Sequence, residues 1–377
     1  MSATAIAQPT SQASAPPPYT SSPETYSGIS GPGGPVIGDG YGGYRSGREG
    51  LMFKGPHPKP GWLDLGERAT GSAVRSGTLP ALRPIWELHL RDTCICLGGD
   101  GMYYMTGSSG DNIWDRNDGV ELWRSSDLRK WDYLGLVWSI ERDGTWEKQW
   151  KESRGRSIRA VWAPEIHYLK SKKNYFITLC MASGGTEILK SSSGKPEGPY
   201  VSTLNPNQRL TGGIDATIFE DDDGKIYFTW GRGGQIGLMK DDLSGFDGEP
   251  KQVTFEKPEN HIWTRDEVCN EGVFLFKREG KYYLTGAAFY KDRYSSVAAV
   301  ADSVFGPYKM WHEAVPCGGG TDYFQDKDGT WFCTYFGNDE QSPWREKPGL
   351  VKVEFNDMGA IYVSPTQPDL VMQPSNR

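Results

Sequence analysis

Three carboxylates share one spacing from a turn glycine. Asp92 lies nine residues before Gly101, Asp215 nine before Gly224, and Glu271 nine before Gly280. Each heads an apolar run that ends in a polar turn and returns as a second apolar run, the pattern of a β-hairpin. Carboxylates gathered at one place repel one another and raise at least one pKa. Such a group offers a general acid beside a general base near neutral pH. Paired carboxylates flanking a sugar linkage hydrolyse it.

Gathering them requires elements that repeat. Two further stretches share the hairpin pattern. Val161–Leu169 turns at Lys170–Lys173 and returns from Asn174, and Gly320–Phe324 turns at Asp326–Gly329 and returns to Tyr335. Each of the five units continues into further strand-like runs, such as Gly119–Arg124, Thr186–Lys190, Gln235–Met239, Ser296–Val300 and Gly349–Val353. Four short strands repeated five times predict an all-β, five-bladed β-propeller over residues 91–365. A β-sandwich has no need of a common turn offset. In a propeller, equivalent positions on the innermost strands converge on the axis, so the three acids would meet at one mouth of the channel. The corresponding positions in units two and five, Ala163-Pro164 and Gly320, are small and leave room for a ligand.

The composition agrees. The chain has 377 residues and a net charge of −7, without the basic stripe of a nucleic-acid binder. It has 14 Trp, 19 Tyr and 14 Phe, side chains suited both to large blade cores and to stacking on sugar rings. Six cysteines form no Cys-x-x-Cys pair, so they read as buried free thiols rather than a zinc motif. No apolar run reaches the length of a membrane span. Residues 1–45 are rich in Ser, Pro and Gly and predict a disordered segment. Residues 46–90 predict an extended arm packed on the propeller, and 366–377 a C-terminal tail. The first eight residues lack the basic region of a signal peptide.

Four motifs in order resemble glycoside hydrolase family 43 and its relatives. They are Arg91-Asp92-Thr93 with Gly101–Tyr104, Val161–Ile166, Ile214–Phe219 with Gly224–Tyr227, and Asn270-Glu271-Gly272 with Gly280–Leu284. The resemblance implies a five-bladed propeller that inverts at the anomeric carbon, with Asp92 as general base, Glu271 as general acid and Asp215 as the residue that tunes the acid. In an inverting enzyme the acid and base stand about 6.5–9.5 Å apart. Thr93, Ala216 and Gly272-Val273 stand where the family usually has proline after the carboxylates. The fifth unit reads Gly-Gly-Gly-Thr-Asp-Tyr over 318–323, without the family's channel histidine, which leaves a calcium there unsupported. No metal or other cofactor is expected. The related family 117 carries an N-terminal extension used in dimerisation, so the arm leaves open a monomer or a homodimer.

Further substrate contacts are expected at Trp162, which can stack on a sugar, at Arg293, which can bind a hydroxyl or an acidic sugar, and at Asp322, a fourth channel acid. Trp138, Trp146 and Trp150 belong to an insertion that either walls the pocket or packs on itself. His167 reads as a core histidine, and Asp221–Gly224 as a turn lacking the ligand alternation of an EF-hand. The expected activity is hydrolysis of a plant or algal oligo- or polysaccharide, exo-acting, by an extracellular or periplasmic protein. A carbohydrate-binding propeller without catalysis is the alternative. A phosphorylase would need a cationic phosphate pocket, and the inner strands show no basic cluster.

Overall fold

The computed structural model describes residues 90–368 except 110–114, 154, 257–270, 291–292, 317 and 337–346. The predicted N-terminal segment, nearly all of the arm, and most of the C-terminal tail lie outside the described residues.

Five four-stranded antiparallel sheets form the five blades. Blade one holds β1 (Arg91–Leu97), β2 (Tyr103–Ser108), β3 (Gly119–Ser125) and β4 (Asp132–Ser139). A two-stranded hairpin, β5 (Lys151–Ser153) and β6 (Arg156–Ile158), leads to blade two. That blade holds β7 (Val161–Leu169), β8 (Asn174–Met181), β9 (Thr186–Ser191) and β10 (Tyr200–Ser202). Blade three holds β11 (Thr217–Glu220), β12 (Ile226–Trp230), β13 (Gln235–Leu238) and β14 (Lys251–Gln252). Blade four holds β15 (Glu271–Arg278), β16 (Lys281–Tyr290), β17 (Arg293–Ala301) and β18 (Lys309–Val315). Blade five holds β19 (Tyr323–Gln325), β20 (Trp331–Phe336), β21 (Pro348–Phe355) and β22 (Ile361–Val363).

Each sheet is made of strands consecutive in the chain, so apolar faces between neighbouring blades must hold the ring together. Blades one and two share Tyr104, Leu122, Trp138, Ile166, Ile177 and Leu179. The first and last blades close through Ile95, Tyr103, Met105 and Trp123 against Phe324, Phe332 and Leu350. Burial of such faces contributes about 25 cal/mol per Å². Polar links reinforce the same seam: the Thr334 hydroxyl donates to the Thr93 carbonyl, and the Lys327 N–H donates to the Tyr103 hydroxyl.

One local feature recurs five times and sets the site. Near its start each inner chain passes through a positive φ, at Asp92 (49°), Ala163 (44°), Asp215 (53°), Gly272 (62°) and Gly320 (58°). In blades one, two and four the pairing register shifts across this point, between Arg91 and Cys94, Trp162 and Glu165, and Glu271 and Phe274. A bulge of this kind bends a strand and re-aims its side chains. In every blade a buried threonine lies on the second strand, paired with or facing the residue two past this point: Thr106, Thr178, Thr229, Thr285 and Thr334. Thr106 donates across the blade interface to the Pro164 carbonyl at 2.7 Å, as Thr334 does to Thr93.

The insertion divides its tryptophans. Trp138 is a β4 residue paired with Val120 and buried with Trp146 in the core shared by blades one and two. A short helix, α1 (Ile140–Asp143), is capped by Ser139, whose hydroxyl accepts from the Arg142 N–H. Trp150 lies between Arg116 and Arg159, whose guanidinium carbons stand 5.2 and 4.3 Å from its ring centre.

Candidate active site

The bulges bring Asp92, Asp215 and Glu271 into one electrostatic cluster, but not through three equivalent positions. Asp92 and Asp215 are themselves the positive-φ residues, whereas in blade four that residue is Gly272. Glu271 is therefore the counterpart of Arg91. The shared offset of nine has a compensating origin. The blade-four hairpin closes through Glu279-Gly280, because Arg278 pairs directly with Lys281. In blade one Leu97 pairs with Tyr103 around a longer turn.

Positive φ is costly for a residue with a side chain and is common at functional sites. Here it aims the carboxylates inward. Asp92 is half-buried, and its Oδ2 accepts from the Ser108 hydroxyl at 3.0 Å. Ser108 in turn accepts the Ala163 N–H at 2.8 Å, so the base candidate is held between blades one and two. Asp215 is buried, and its Oδ2 accepts the Gly272 N–H at 2.8 Å, linking it to the residue that follows Glu271. Glu271 is buried, and its Oε1 accepts from the Tyr294 hydroxyl at 2.8 Å.

The acids differ in proton affinity. Burial pushes Glu271 up to about 7, opposed by the Arg91 charge and the Tyr294 hydrogen bond, with Asp92 adding to the rise and Arg232 opposing it. Burial, then the charges of Asp92 and Glu271, hold Asp215 well above the usual carboxylate range, while the Gly272 N–H works against them. The Arg91 guanidinium stacks on Phe336, 3.9 Å from the ring centre. Tyr294 and Phe336 pack with Trp162, Ala287 and Ile214 in one apolar cluster.

The glycines at 318–320 are required by this crowding. A Cβ at Gly320 would stand 2.8 Å from Asp92 Oδ1, and one at Gly319 would meet Tyr294 and Ala287. The run that lacks a histidine is thus where blade five yields space to the acids of blades one and four.

Two residues past each bulge lies a second layer: Cys94, Glu165, Thr217, Phe274 and Asp322. Ligand atoms of Cys94, Glu165 and Asp322 all lie within 4.8 Å of one another, and all three residues are buried. Burial and neighbouring acids, Asp92 among them, raise the pKa of Glu165 and of Asp322. Asp322 is thus a buried member of this second layer, beside Cys94 and Glu165. Burial depresses His167 to about 3, so it is neutral, with Nε2 3.1 Å from Glu165 Oε2. Trp162 occupies the place in blade two that Arg91 and Glu271 hold in theirs. Arg293 opens β17, paired with Tyr290, and its side chain lies outside the described residues.

Sequence reasoning missed Arg91, Ser108 and Tyr294. Arg91 and Ser108 carried a signal: they flank Asp92 and Gly107 in the first hairpin and pair with each other across it. Tyr294 carried none, since it follows residues with no repeat counterpart. The four described cysteines, Cys94, Cys96, Cys180 and Cys333, are free, and Cys269 and Cys317 lie outside the described residues.

The pattern of Glycosyl hydrolases family 43 matches residues 81–361. The chain belongs to this family. That membership favours a glycosidase over the non-catalytic carbohydrate-binding alternative. It is 33% identical over 201 residues to the β-D-galactofuranosidase xynD of Aspergillus niger, covering 49% of this chain and 53% of the relative. A xylosidase/arabinosidase of Butyrivibrio fibrisolvens is 27% identical over 213 residues, covering 55% of this chain and 38% of the relative. The chain thus spans about half, or less, of these relatives. Two solved structures share the fold. The GH43_1 enzyme of Xanthomonas citri complexed with xylotriose has a TM-score of 0.59 at 19% identity, covering 81% of this chain and 99% of that one. An endo-1,4-β-xylanase of Bacteroides thetaiotaomicron has a TM-score of 0.57 at 23% identity, covering 76% and 97%.

Proposed function

We propose that this family 43 hydrolase inverts at the anomeric carbon and removes a terminal furanosyl or xylosyl group from a plant or algal glycan. The observation that carries the reading is Glu271. A buried carboxyl lifted to about 7 keeps its proton near neutral pH and can pass it to the departing glycosidic oxygen. Asp92, oriented by Ser108, takes a proton from the water that attacks the opposite face of the sugar. The C–O bond to the leaving group breaks as the water oxygen bonds to the anomeric carbon. Glu271 ends deprotonated and Asp92 protonated, and exchange with solvent resets both. Asp215 is a positioning residue. Its hydrogen bond to the Gly272 N–H fixes the backbone that bears the acid, while burial and the Asp92 charge oppose ionisation of Glu271.

The sugar class follows from the relatives named for galactofuranosidase and xylosidase/arabinosidase activities. Exo action is part of the same reading; Trp162, Tyr294 and Phe336 are buried together beside Glu271 and Arg91 and back the carboxylates rather than face a sugar. Substrates of this kind are polymers outside the cell, and secretion is part of the reading.

The test is proton NMR of the first product from 4-nitrophenyl β-D-galactofuranoside, α-L-arabinofuranoside and β-D-xyloside. The proposal expects one of the three to be cleaved with the opposite anomer appearing first. Retention of configuration would overturn the mechanism, and cleavage of none of them the sugar class. Asp92→Asn should lower kcat by about 10²–10⁴-fold without loss of folding.

A further inference from the structure

The resemblance to family 43 raises calcium at the channel, and the residues here do not suit it. Calcium takes six to eight oxygen ligands. The buried cluster on the inner strands of blades one, two and five offers a thiol and two carboxylates, with ligand atoms within 4.8 Å of one another. Thiolate with carboxylate is a donor set for a borderline metal held at about 2.0–2.3 Å. We propose that Cys94, Glu165 and Asp322 form a zinc-type divalent-cation site in this second layer.

A second observation points to a ligand there. Asp322 Oδ2 and Glu165 Oε2 are buried without a hydrogen-bond partner, on residues only 7% and 5% exposed. His167 Nε2 stands 3.1 Å from Glu165 Oε2 and makes no hydrogen bond either. Buried polar atoms are nearly always paired, so several orphans around one point call for an ion or an ordered molecule. The Cys94 thiol now donates to the Ile166 carbonyl at 3.4 Å. On binding, the thiol proton leaves to solvent and the sulfur becomes a thiolate ligand.

The full chain, freed of any affinity tag and passed through chelating resin, is analysed for metals by mass spectrometry after incubation with zinc, manganese or calcium. The proposal expects about one zinc per chain, a Tm raised by zinc and not by calcium, and loss of both effects in Asp322→Asn. Cobalt in place of zinc should give a thiolate charge-transfer band that Cys94→Ser abolishes. Absence of retained metal and of any Tm shift in the unmutated chain overturns the site. Stoichiometric calcium with no zinc overturns the donor assignment. Unchanged zinc content in both variants places the metal elsewhere.

Discussion

Two aspartates bracket the inner strand of blade three and titrate in opposite directions. Asp215 precedes β11 at the mouth, buried near Asp92 and Glu271, and its pKa is raised. Asp221 follows β11 at the other end. Burial there is outweighed by Lys277 and Tyr282, which hold its carboxyl below the usual range. The Lys277 ammonium donates to Asp221 Oδ1 at 2.5 Å and the Tyr282 hydroxyl to Oδ2 at 2.6 Å. Both residues fasten blade three to blade four. Asp221 does so with charge satisfied. Asp215 does so among like charges, at a cost that folding must absorb and that only the site can use. The sign follows for stability. Asp215, raised in the fold, favours folding at low pH and loses that contribution as pH rises through its folded pKa. Asp221, lowered in the fold, stabilises above the ordinary aspartate pKa, and the benefit is lost as pH falls through its folded value.

Variants at the two ends should therefore separate activity from stability. The largest effect is expected at the mouth. Glu271→Gln should lower kcat by about 10²–10⁴-fold, with a Tm equal to or above that of the unmodified chain, because a buried ionisable group is replaced by a neutral one. Steady-state kinetics beside calorimetry would decide it, and a large fall in Tm would mean that Glu271 is structural. Next comes Gly320→Ala. Its Cβ would press on Asp92 Oδ1 at a positive φ, so both turnover and Tm should fall. At the opposite end Asp221→Asn should cost about 1.5–3 kcal/mol of stability, the worth of hydrogen bonds to a charged group. Its kcat should be unchanged. Denaturant unfolding above and below pH 4 would show the difference closing in acid.

This contrast was half visible in the sequence. The five hairpins, their order and the acids Asp92 and Asp215 could be read from spacing because each blade repeats one local solution, an apolar strand and a turn glycine. The ring of threonines on the second strands was also in plain view, as Thr106, Thr178, Thr229, Thr285 and Thr334, and would have registered the blades better than the turns do. Turn length varies with the hairpin, while the threonines mark the pairing itself. Counting from Gly280 chose Glu271 although its strand is displaced by one residue, because a shorter turn offset a longer paired run. A positive φ cannot be read from Ala163 or Asp92, since neither type demands it. The channel layer of Cys94, Glu165 and Asp322 was hidden for another reason. Its members lie two residues past each bulge, and a bulge changes which side chains face the axis without changing their order.

The smallest effect tests the acid most directly. The Tyr294 hydroxyl donates to the charged form of Glu271 and lowers its pKa from where burial alone would put it. Tyr294→Phe removes that donor and keeps the ring packed against Phe336 and Trp162. The alkaline limb of the kcat profile, set near 7 by loss of the acid's proton, should then move to higher pH. The acidic limb, which reports the base, should stay where it was, as Tyr294 donates to Glu271. A fall in rate with both limbs unmoved would mean that Tyr294 only fills space. Movement of the alkaline limb alone would tie the proton of the departing sugar to Glu271, with the tyrosine of β17 setting its affinity.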